Sequence, residues 1–278
     1  MFSTLITTAG LAAHLDDKNW MVFDCRFDLA DTEAGRRAYV ESHIPGARYA
    51  HLDEHLAGAK SGRNGRHPLP DPQKFCTTLG AMGMRDGMQA VAYDASGGFY
   101  AARLWWMLRW IGHSACAVLD GGWEAWRQGG LPVTSEVPQA SRGSVSCNTH
   151  ALTVNADYVM SQLGQSKDLV IDARSTDRFR GENETLDPVG GHIPGAQNRF
   201  FKLNLAADGR FKSAEELRGE LTDLLGETSP AHVIHQCGSG VTACHNLLAM
   251  EIAGLAGSKL YPGSWSEWCS DPARPVAR

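Results

Sequence analysis

Three sequence patterns occur twice in this chain, in the same order. The two copies of each pattern lie 148, 149 and 142 positions apart, and chance similarity would not keep that order. Such self-similarity indicates an internal duplication, and 278 residues are enough for two domains with a core each. The repeated pieces are Val22-Phe23-Asp24-Cys25-Arg26 with Val170-Ile171-Asp172-Ala173-Arg174, Ser42-His43-Ile44-Pro45-Gly46-Ala47 with Gly191-His192-Ile193-Pro194-Gly195-Ala196, and Trp123-Glu124-Ala125-Trp126 with Trp265-Ser266-Glu267-Trp268.

Short apolar strands alternate with helical segments in both copies. This alternation predicts an α/β fold in which each copy forms a parallel sheet flanked by helices. The stretch 136–152 is polar, carries Pro138 and Gly143 and lacks periodicity, so it is predicted as a linker between domains at 1–135 and 153–278. The predicted strands are 20–26, 89–93 and 115–119 in the first copy and 169–174, 232–236 and 258–261 in the second, and the helices after the middle strands are 101–110 and 243–253.

The two copies differ at the end of the middle strand, where the first has Asp94 and the second Cys237. Ligands of open parallel sheets bind beyond the carboxyl ends of the strands, where loop amides and a helix N-terminus favour an anion. Gly238 and Gly240 permit the tight turn that brings such amides together. A cysteine at this place is expected to exist substantially as a thiolate and to act as a nucleophile. The alternative is a buried structural cysteine.

The loop that begins at Cys237 resembles the active-site loop of the rhodanese superfamily, and specifically that of its tandem-domain sulfurtransferases. The resemblance covers nearly the whole chain. It implies two tandem rhodanese-like domains, of which the N-terminal one is catalytically silent, in agreement with Asp94. The residues that carry the resemblance are Asp172-Ala173-Arg174, Arg178-Phe179-Arg180-Gly181, Gly191-His192-Ile193-Pro194-Gly195, the loop from Cys237 to Ala243, and Trp265-Ser266-Glu267-Trp268.

Within that family, the loop is most similar to that of the mercaptopyruvate sulfurtransferases. Thiosulfate sulfurtransferases typically place basic residues after the cysteine, and this loop has none, so 3-mercaptopyruvate is the predicted donor and thiosulfate the alternative. The mercaptopyruvate enzymes bind their substrate with two arginines nine positions apart. Arg178 matches the first, whereas Asp187 stands at the second, and Arg180 or Arg199 are the candidates to replace it. The resemblance implies these substrate-binding residues: Arg178, Gly238, Gly240, Val241, Thr242 and Ala243.

The resemblance also implies a proton relay of a serine in the loop with a histidine and an aspartate from the N-terminal half. Ser239 matches the serine, His67 the histidine and Asp53 the acid, although the spacing between Asp53 and His67 is longer than usual. Such a relay could move a proton between donor and thiol. The alternative for His67 is a solvated loop histidine.

The predicted reaction is a ping-pong sulfur transfer. The Cys237 thiolate attacks the donor sulfur, pyruvate or sulfite leaves, and the persulfide passes its sulfur to a thiol or cyanide, with a thioredoxin-like reductant among the candidate partners. The reaction needs no metal or organic cofactor. Three rival functions are weaker: a cysteine phosphatase, whose loop arginine is Ala243 here; a metal site, because His232, His235, Cys237, Cys244 and His245 match no common zinc spacing; and a non-enzymatic sulfur carrier.

The bulk composition excludes other classes of partner. A net charge of -5 disfavours nucleic-acid binding, and a local basic cluster at Lys60, Arg63 and Arg66 is either a solvated loop or a partner site. The chain has no apolar run of membrane-spanning length and no signal-like N-terminus. Seven cysteines without a disulfide-framework spacing favour a reducing, cytoplasmic location.

Overall fold

The computed structural model describes residues 1–139, 142–165 and 167–278, and the chain divides into two compact units. The first unit comprises Met1–Gly58, Leu69–Ala151 and Ala207–Arg210. The second comprises Ala59–Pro68, Leu152–Ala206 and Phe211–Arg278. Ten residues from the sequence of the first copy, 59–68, thus pack with the second unit. The predicted domain at 1–135 placed these ten residues in the first unit. Their packing with the second unit was not predictable, because an irregular loop has no hydrophobic periodicity.

The predicted linker at 136–152 also differs from the structure. Its described residues, which exclude 140 and 141, run along the first unit in irregular backbone. The N–H of Gly143 donates to the Gly80 oxygen at 2.8 Å, and the N–H of Asn148 donates to the Ile111 oxygen at 3.0 Å. Because these backbone groups bond to the first unit, most of the stretch is part of that unit.

The first unit is built on a five-stranded parallel sheet of order β1-β5-β4-β2-β3. The apolar strands β2 and β4 pair over their full length, and α5 packs on β4 and β5. Its elements are β1 Leu5–Ile6, α1 Thr8–Ala12, β2 Trp20–Asp24, α2 Ala34–Glu41, β3 Arg48–Tyr49, α3 Leu52–His55, α4 Pro72–Ala81, β4 Gln89–Tyr93, α5 Phe99–Trp110, β5 Cys116–Leu119 and α6 Gly122–Gln128.

The second unit repeats this plan in a four-stranded parallel sheet of order β7-β6-β8-β9. The helix α10 packs on the buried strand β8 and against α9. The predicted α/β fold, with a parallel sheet flanked by helices in each copy, is therefore confirmed. The elements are α7 Ala156–Gln162, β6 Leu169–Asp172, α8 Thr176–Phe179, β7 Gln197–Asn198, α9 Ala214–Leu225, β8 Val233–Gln236, α10 Thr242–Ile252, β9 Lys259–Leu260 and α11 Ser264–Trp268, with short 3-10 helices at Phe201–Asn204 and Pro230–His232.

The repeated Asp-x-Arg motif ends the first long strand of each copy two residues before the predicted end. In the second unit, the Asp172 carboxylate accepts from the backbone N–H and the guanidinium of Arg174, and this turn stops the strand. The Arg174 guanidinium lies 4.7 Å from the ring centroid of Trp265, which links the motif to the repeated tryptophan helix. The equivalent Arg26 binds Asp24 and lies 4.4 Å from Trp123. The repeats are therefore matching parts of two similar frameworks.

No helix in the described part of the chain is both long enough and apolar enough to cross a membrane.

Candidate active site

Cys237 is the first residue after β8, and α10 begins five residues later, at Thr242. Its side chain is buried, with 1% of its surface exposed. Gly240 has a φ of +76°, and a Cβ at that position would collide with the backbone oxygen of Pro262. A glycine is therefore needed for the chain to turn from the strand into the helix here.

Backbone groups hold this loop around the sulfur. The N–H of Gly240 donates to the Cys237 sulfur at 3.1 Å. The start of α11 fastens the loop from the other side, because Ser264 Oγ accepts from the Cys237 N–H at 3.1 Å and the N–H of Trp265 donates to the Cys237 oxygen at 2.9 Å. Ser264 has a φ of +54°, which is a strained conformation for a residue with a side chain. An N–H directed at the sulfur stabilises an anion there.

Asp94 shows what the equivalent loop of the first unit can bind. Its carboxylate accepts four backbone N–H groups at 2.7–2.9 Å, from Ser96, Gly98, Tyr100 and Ala101. Burial raises the pKa of Asp94, and these hydrogen bonds oppose the rise. The loop between the strand and the helix thus forms an anion site that is filled by the protein's own carboxylate.

His67 and Ser239 lie together in the second unit. The Nδ1 atom of His67 is 2.8 Å from the Ser239 hydroxyl oxygen, and both side chains are buried. His67 reaches this position because the segment 59–68 packs with the second unit. Asp53, the acid of the predicted relay, lies in α3 of the first unit. Its membership of the relay stays a prediction.

Carboxylates surround Arg178, the predicted substrate-binding residue at the end of α8. Its guanidinium donates to both Glu184 oxygens, at 2.8 and 2.9 Å, and lies 3.5 Å from Asp187. Burial alone would raise the pKa of Glu184, but hydrogen bonds from Arg178 and from two backbone amides lower it below its usual value. Burial raises the pKa of Asp187. Asp187 also forms an ion pair with Arg66, which is part of the same segment as His67.

Of the two predicted replacements for the second arginine, Arg199 does not fit that role. Arg199 is buried and occupied, because it donates to Asn204 at 3.0 Å and to Glu220 at 2.9 Å. Arg180 is exposed at the end of α8. The structure brings Arg66 to the loop instead. Its adjacency to His67 is the sequence signal that could have identified it.

Burial suppresses the reactivity of several other thiols. It raises the pKa of Cys76 and of Cys116 to about 12 and that of Cys269 to about 11. It also raises the pKa of Cys25 well above its usual value, together with the charges of Asp94 and Asp24. These four cysteines are thus poor nucleophiles near neutral pH.

The side chains that approach a metal-binding arrangement lie elsewhere, in the first unit. Among the described residues, Glu33, His51 and Glu54 bring potential ligand atoms within 4.8 Å of one another. However, His51 Nδ1 accepts from the backbone N–H of Asp53 at 3.1 Å, and Nε2 lies 3.1 Å from the Thr32 oxygen. Both ring nitrogens are therefore already used.

Comparison with known proteins links both halves of the chain to one family. The rhodanese-like domain family matches residues 7–129 and 155–271. The chain is 46% identical over 276 residues to the "Probable 3-mercaptopyruvate sulfurtransferase" of Pseudomonas aeruginosa, a match that spans 98% of this chain and 97% of that protein. It is 34% identical over 283 residues to the thiosulfate sulfurtransferase of Cricetulus griseus, covering 96% and 92% of the two chains. The solved 3-mercaptopyruvate sulfurtransferase of Leishmania major is similar at a TM-score of 0.85 and 29% identity, covering 96% of this chain and 74% of that one.

Proposed function

The chain belongs to the family of rhodanese-like domain proteins, and from this premise we propose that it is a sulfurtransferase that takes sulfur from 3-mercaptopyruvate and passes it on as a persulfide of Cys237. The observation that carries the proposal is the N–H of Gly240 directed at the Cys237 sulfur in a loop between a parallel strand and a helix. The same kind of loop binds a carboxylate at Asp94, which supports its capacity for an anion.

The first half-reaction balances without an added reagent. The thiolate of Cys237 attacks the sulfur of 3-mercaptopyruvate and forms an S–S bond, while the electron pair of the C–S bond goes to carbon. The proton of the donor thiol moves to that carbon, so pyruvate and a Cys237 persulfide anion result. Ser239 and His67, 2.8 Å apart, are the proposed path for that proton. Asp53 is proposed as the acid of this relay.

The persulfide then gives its outer sulfur to an acceptor. A thiol or cyanide attacks that sulfur, and the Cys237 thiolate leaves. We propose that the acceptor is a small molecule or a thioredoxin-like protein, and that the reaction uses neither a nucleic acid nor a membrane. Seven free cysteines support a reducing, cytoplasmic setting.

Thiosulfate is the second candidate donor, because guanidinium N–H groups near the loop can donate hydrogen bonds to any anionic donor. Arg66 and Arg178 approach the Cys237 loop, although the loop itself has no basic residue. With this donor the thiolate attacks the outer sulfur and sulfite leaves, so no proton needs to move. The name of the relative from Cricetulus griseus also includes this donor.

Intact-mass measurement tests the persulfide. The full chain is incubated with either donor and separated from small molecules, and its intact mass is measured. We expect a gain of one sulfur atom that is lost on addition of cyanide and is absent in Cys237→Ser. Cys244→Ser serves as the control variant and is expected to gain the atom. No gain with either donor would contradict the proposal and would leave a non-enzymatic role. Steady-state kinetics with both donors then identify the substrate, and 3-mercaptopyruvate is expected to give the larger kcat/KM.

A further inference from the structure

Arg66 lies on the irregular segment 59–68, and its backbone is fixed beside the Cys237 loop. Its N–H donates to the Ser266 hydroxyl oxygen at 3.0 Å. The N–H of Ser266 in turn donates to the oxygen of Gly238 at 2.9 Å. The preceding Gly65 has a φ of +84°, and a Cβ there would lie only 2.7 Å from the Gly263 oxygen. Arg66 is thus joined through one residue to the loop that carries the nucleophile.

The side chain of Arg66 lies over the residue that follows Cys237. A Cβ on Gly238 would lie 2.8 Å from Nη2 of Arg66 and 3.6 Å from Nη2 of Arg178. Gly238 does not have a positive φ. A glycine is therefore needed here for its small size and not for its backbone freedom. The absence of a side chain at Gly238 leaves room for two guanidinium groups beside the residue that follows Cys237.

Asp187 positions the Arg66 guanidinium. One carboxylate oxygen pairs with Nη1 of Arg66, and the other lies 3.5 Å from Nη2 of Arg178. Arg178 is also held by Glu184, so its charge is balanced by a buried carboxylate. Of these four side chains, Arg66 is the most exposed, at 28%, whereas Arg178 is at 20% and both carboxylates are at 3%. The Nη2 edge of Arg66 therefore faces the loop, while its other edge is fixed.

From this arrangement we propose that Arg66 is a donor-binding residue that receives the carboxylate of a 2-oxo-acid thiol at the Cys237 loop. The inference rests on the proposed sulfur transfer and names the group that recognises its donor. A guanidinium offers parallel N–H groups that match the two oxygens of a carboxylate, and a nearby buried anion keeps it in one orientation. Asp187 orients the Arg66 guanidinium and does not itself bind the anionic donor.

The test compares Arg66→Ala with Arg63→Ala, which removes the same charge from an exposed position of the same segment. In Arg66→Ala, KM for 3-mercaptopyruvate is expected to rise roughly 10- to 100-fold, the value of one charge-assisted hydrogen bond, with kcat kept within a few-fold. Arg63→Ala is expected to have the KM and kcat of the wild type for 3-mercaptopyruvate. Arg66→Lys is expected to recover part of the loss, because it restores the charge but not the fork.

A donor without the carboxylate separates binding from a general structural effect. Mercaptoacetone keeps the thiol and the carbonyl, so its kcat/KM is expected to be about equal in the wild type and Arg66→Ala. Equal KM values for 3-mercaptopyruvate in Arg66→Ala and Arg63→Ala would overturn the proposal, and so would an equal loss with mercaptoacetone. Arg66→Gln is measured in the same way if the alanine variant does not fold. A wild type that gains no sulfur on Cys237 would instead contradict the proposed function itself.

Discussion

His67 and Ser239 are separated by 172 positions in the chain, and yet the imidazole Nδ1 lies 2.8 Å from the serine oxygen. Both belong to the second unit, because the segment that carries His67 leaves the first copy of the repeat and packs with the second. The pair is buried, with 4% of His67 and 7% of Ser239 exposed. A hydroxyl and an imidazole in such a place can exchange a proton with a bound donor and exclude bulk water.

Removal of this pair should affect the two donors differently. Ser239→Ala and His67→Gln are expected to lower kcat/KM for 3-mercaptopyruvate by roughly 100-fold or more, because its carbon leaving group must receive a proton. Sulfite leaves as an anion, so the loss with thiosulfate is expected to be much smaller. Steady-state kinetics with both donors measure the difference, with Ser229→Ala on the surface as the control. Equal losses for both donors would refute the proton path.

Gly65 should matter for activity more than another glycine of the same segment. Gly62 and Gly65 both have a positive φ, +82° and +84°, so alanine strains either backbone by roughly 1–2 kcal/mol. Only Gly65 lies against another part of the chain, the Gly263 oxygen. Gly65→Ala is expected to displace Arg66 and His67 and to lower kcat/KM at least several-fold more than Gly62→Ala does. Matching kinetics in the two variants would show that the contact at Gly263 does not hold the segment.

The main features of the fold and the Cys237 loop follow from local patterns in the sequence. The run from Gln89 to Tyr93 is a strand of five buried residues, and its bounds were predicted without error because strong apolar and turn signals surround it. The difference between Asp94 and Cys237 at equivalent positions could be recognised because the duplication aligns the two copies with each other. Both signals depend on residues that are close together in the chain.

The position of Arg66 was not predictable in that way. It depends on an ion pair with Asp187, 121 positions away, and on the packing of an aperiodic loop. The sequence also suggested Arg199 as a substitute arginine, but its partners Asn204 and Glu220 are set by tertiary packing. Long-range pairs of charges leave no pattern in one sequence, because several arginines are equally plausible candidates when only their positions in the sequence are known.

Asp94 is expected to be essential for the stability of the first unit. Asp94→Ala leaves four backbone N–H groups without their acceptor, and at about 1–3 kcal/mol for each unsatisfied group the free energy of unfolding should fall by at least about 3 kcal/mol. Asp94→Asn keeps one oxygen acceptor and should lose less. Urea unfolding of both variants measures the difference. Stability close to that of the wild type in Asp94→Ala would mean that other groups, or water, satisfy these amides.

His235 should make the stability of the protein depend on pH. Burial lowers the pKa of this histidine to about 3, and neither ring nitrogen has a hydrogen-bond partner in the described part of the chain. Between the unfolded pKa of about 6.5 and the folded pKa, the unfolded chain binds the extra proton. The contribution of neutral His235 to the free energy of unfolding is therefore complete above that range. It is lost as the pH falls through the range, at up to about 1.4 kcal/mol per pH unit.

The slope of stability against pH tests this expectation without depending on packing losses. Urea unfolding between pH 4 and 6, about the middle of that range, is expected to give a flatter slope in His235→Leu than in the wild type. His150→Leu, at an exposed position, should keep the wild-type slope. An unchanged slope in His235→Leu would mean that the histidine is already charged in the folded protein.

The segment 59–68 also restricts how a gene for this protein can be divided. A duplicated domain can ordinarily be expressed, recombined or inherited alone, because each copy encodes its own parts. Here the ten residues that bring Arg66 and His67 to the loop that begins at Cys237 are encoded in the half that carries Asp94. Neither half encodes the whole of the proposed site, so we expect deletion of the copy without the cysteine to abolish sulfur transfer even though Cys237 is kept.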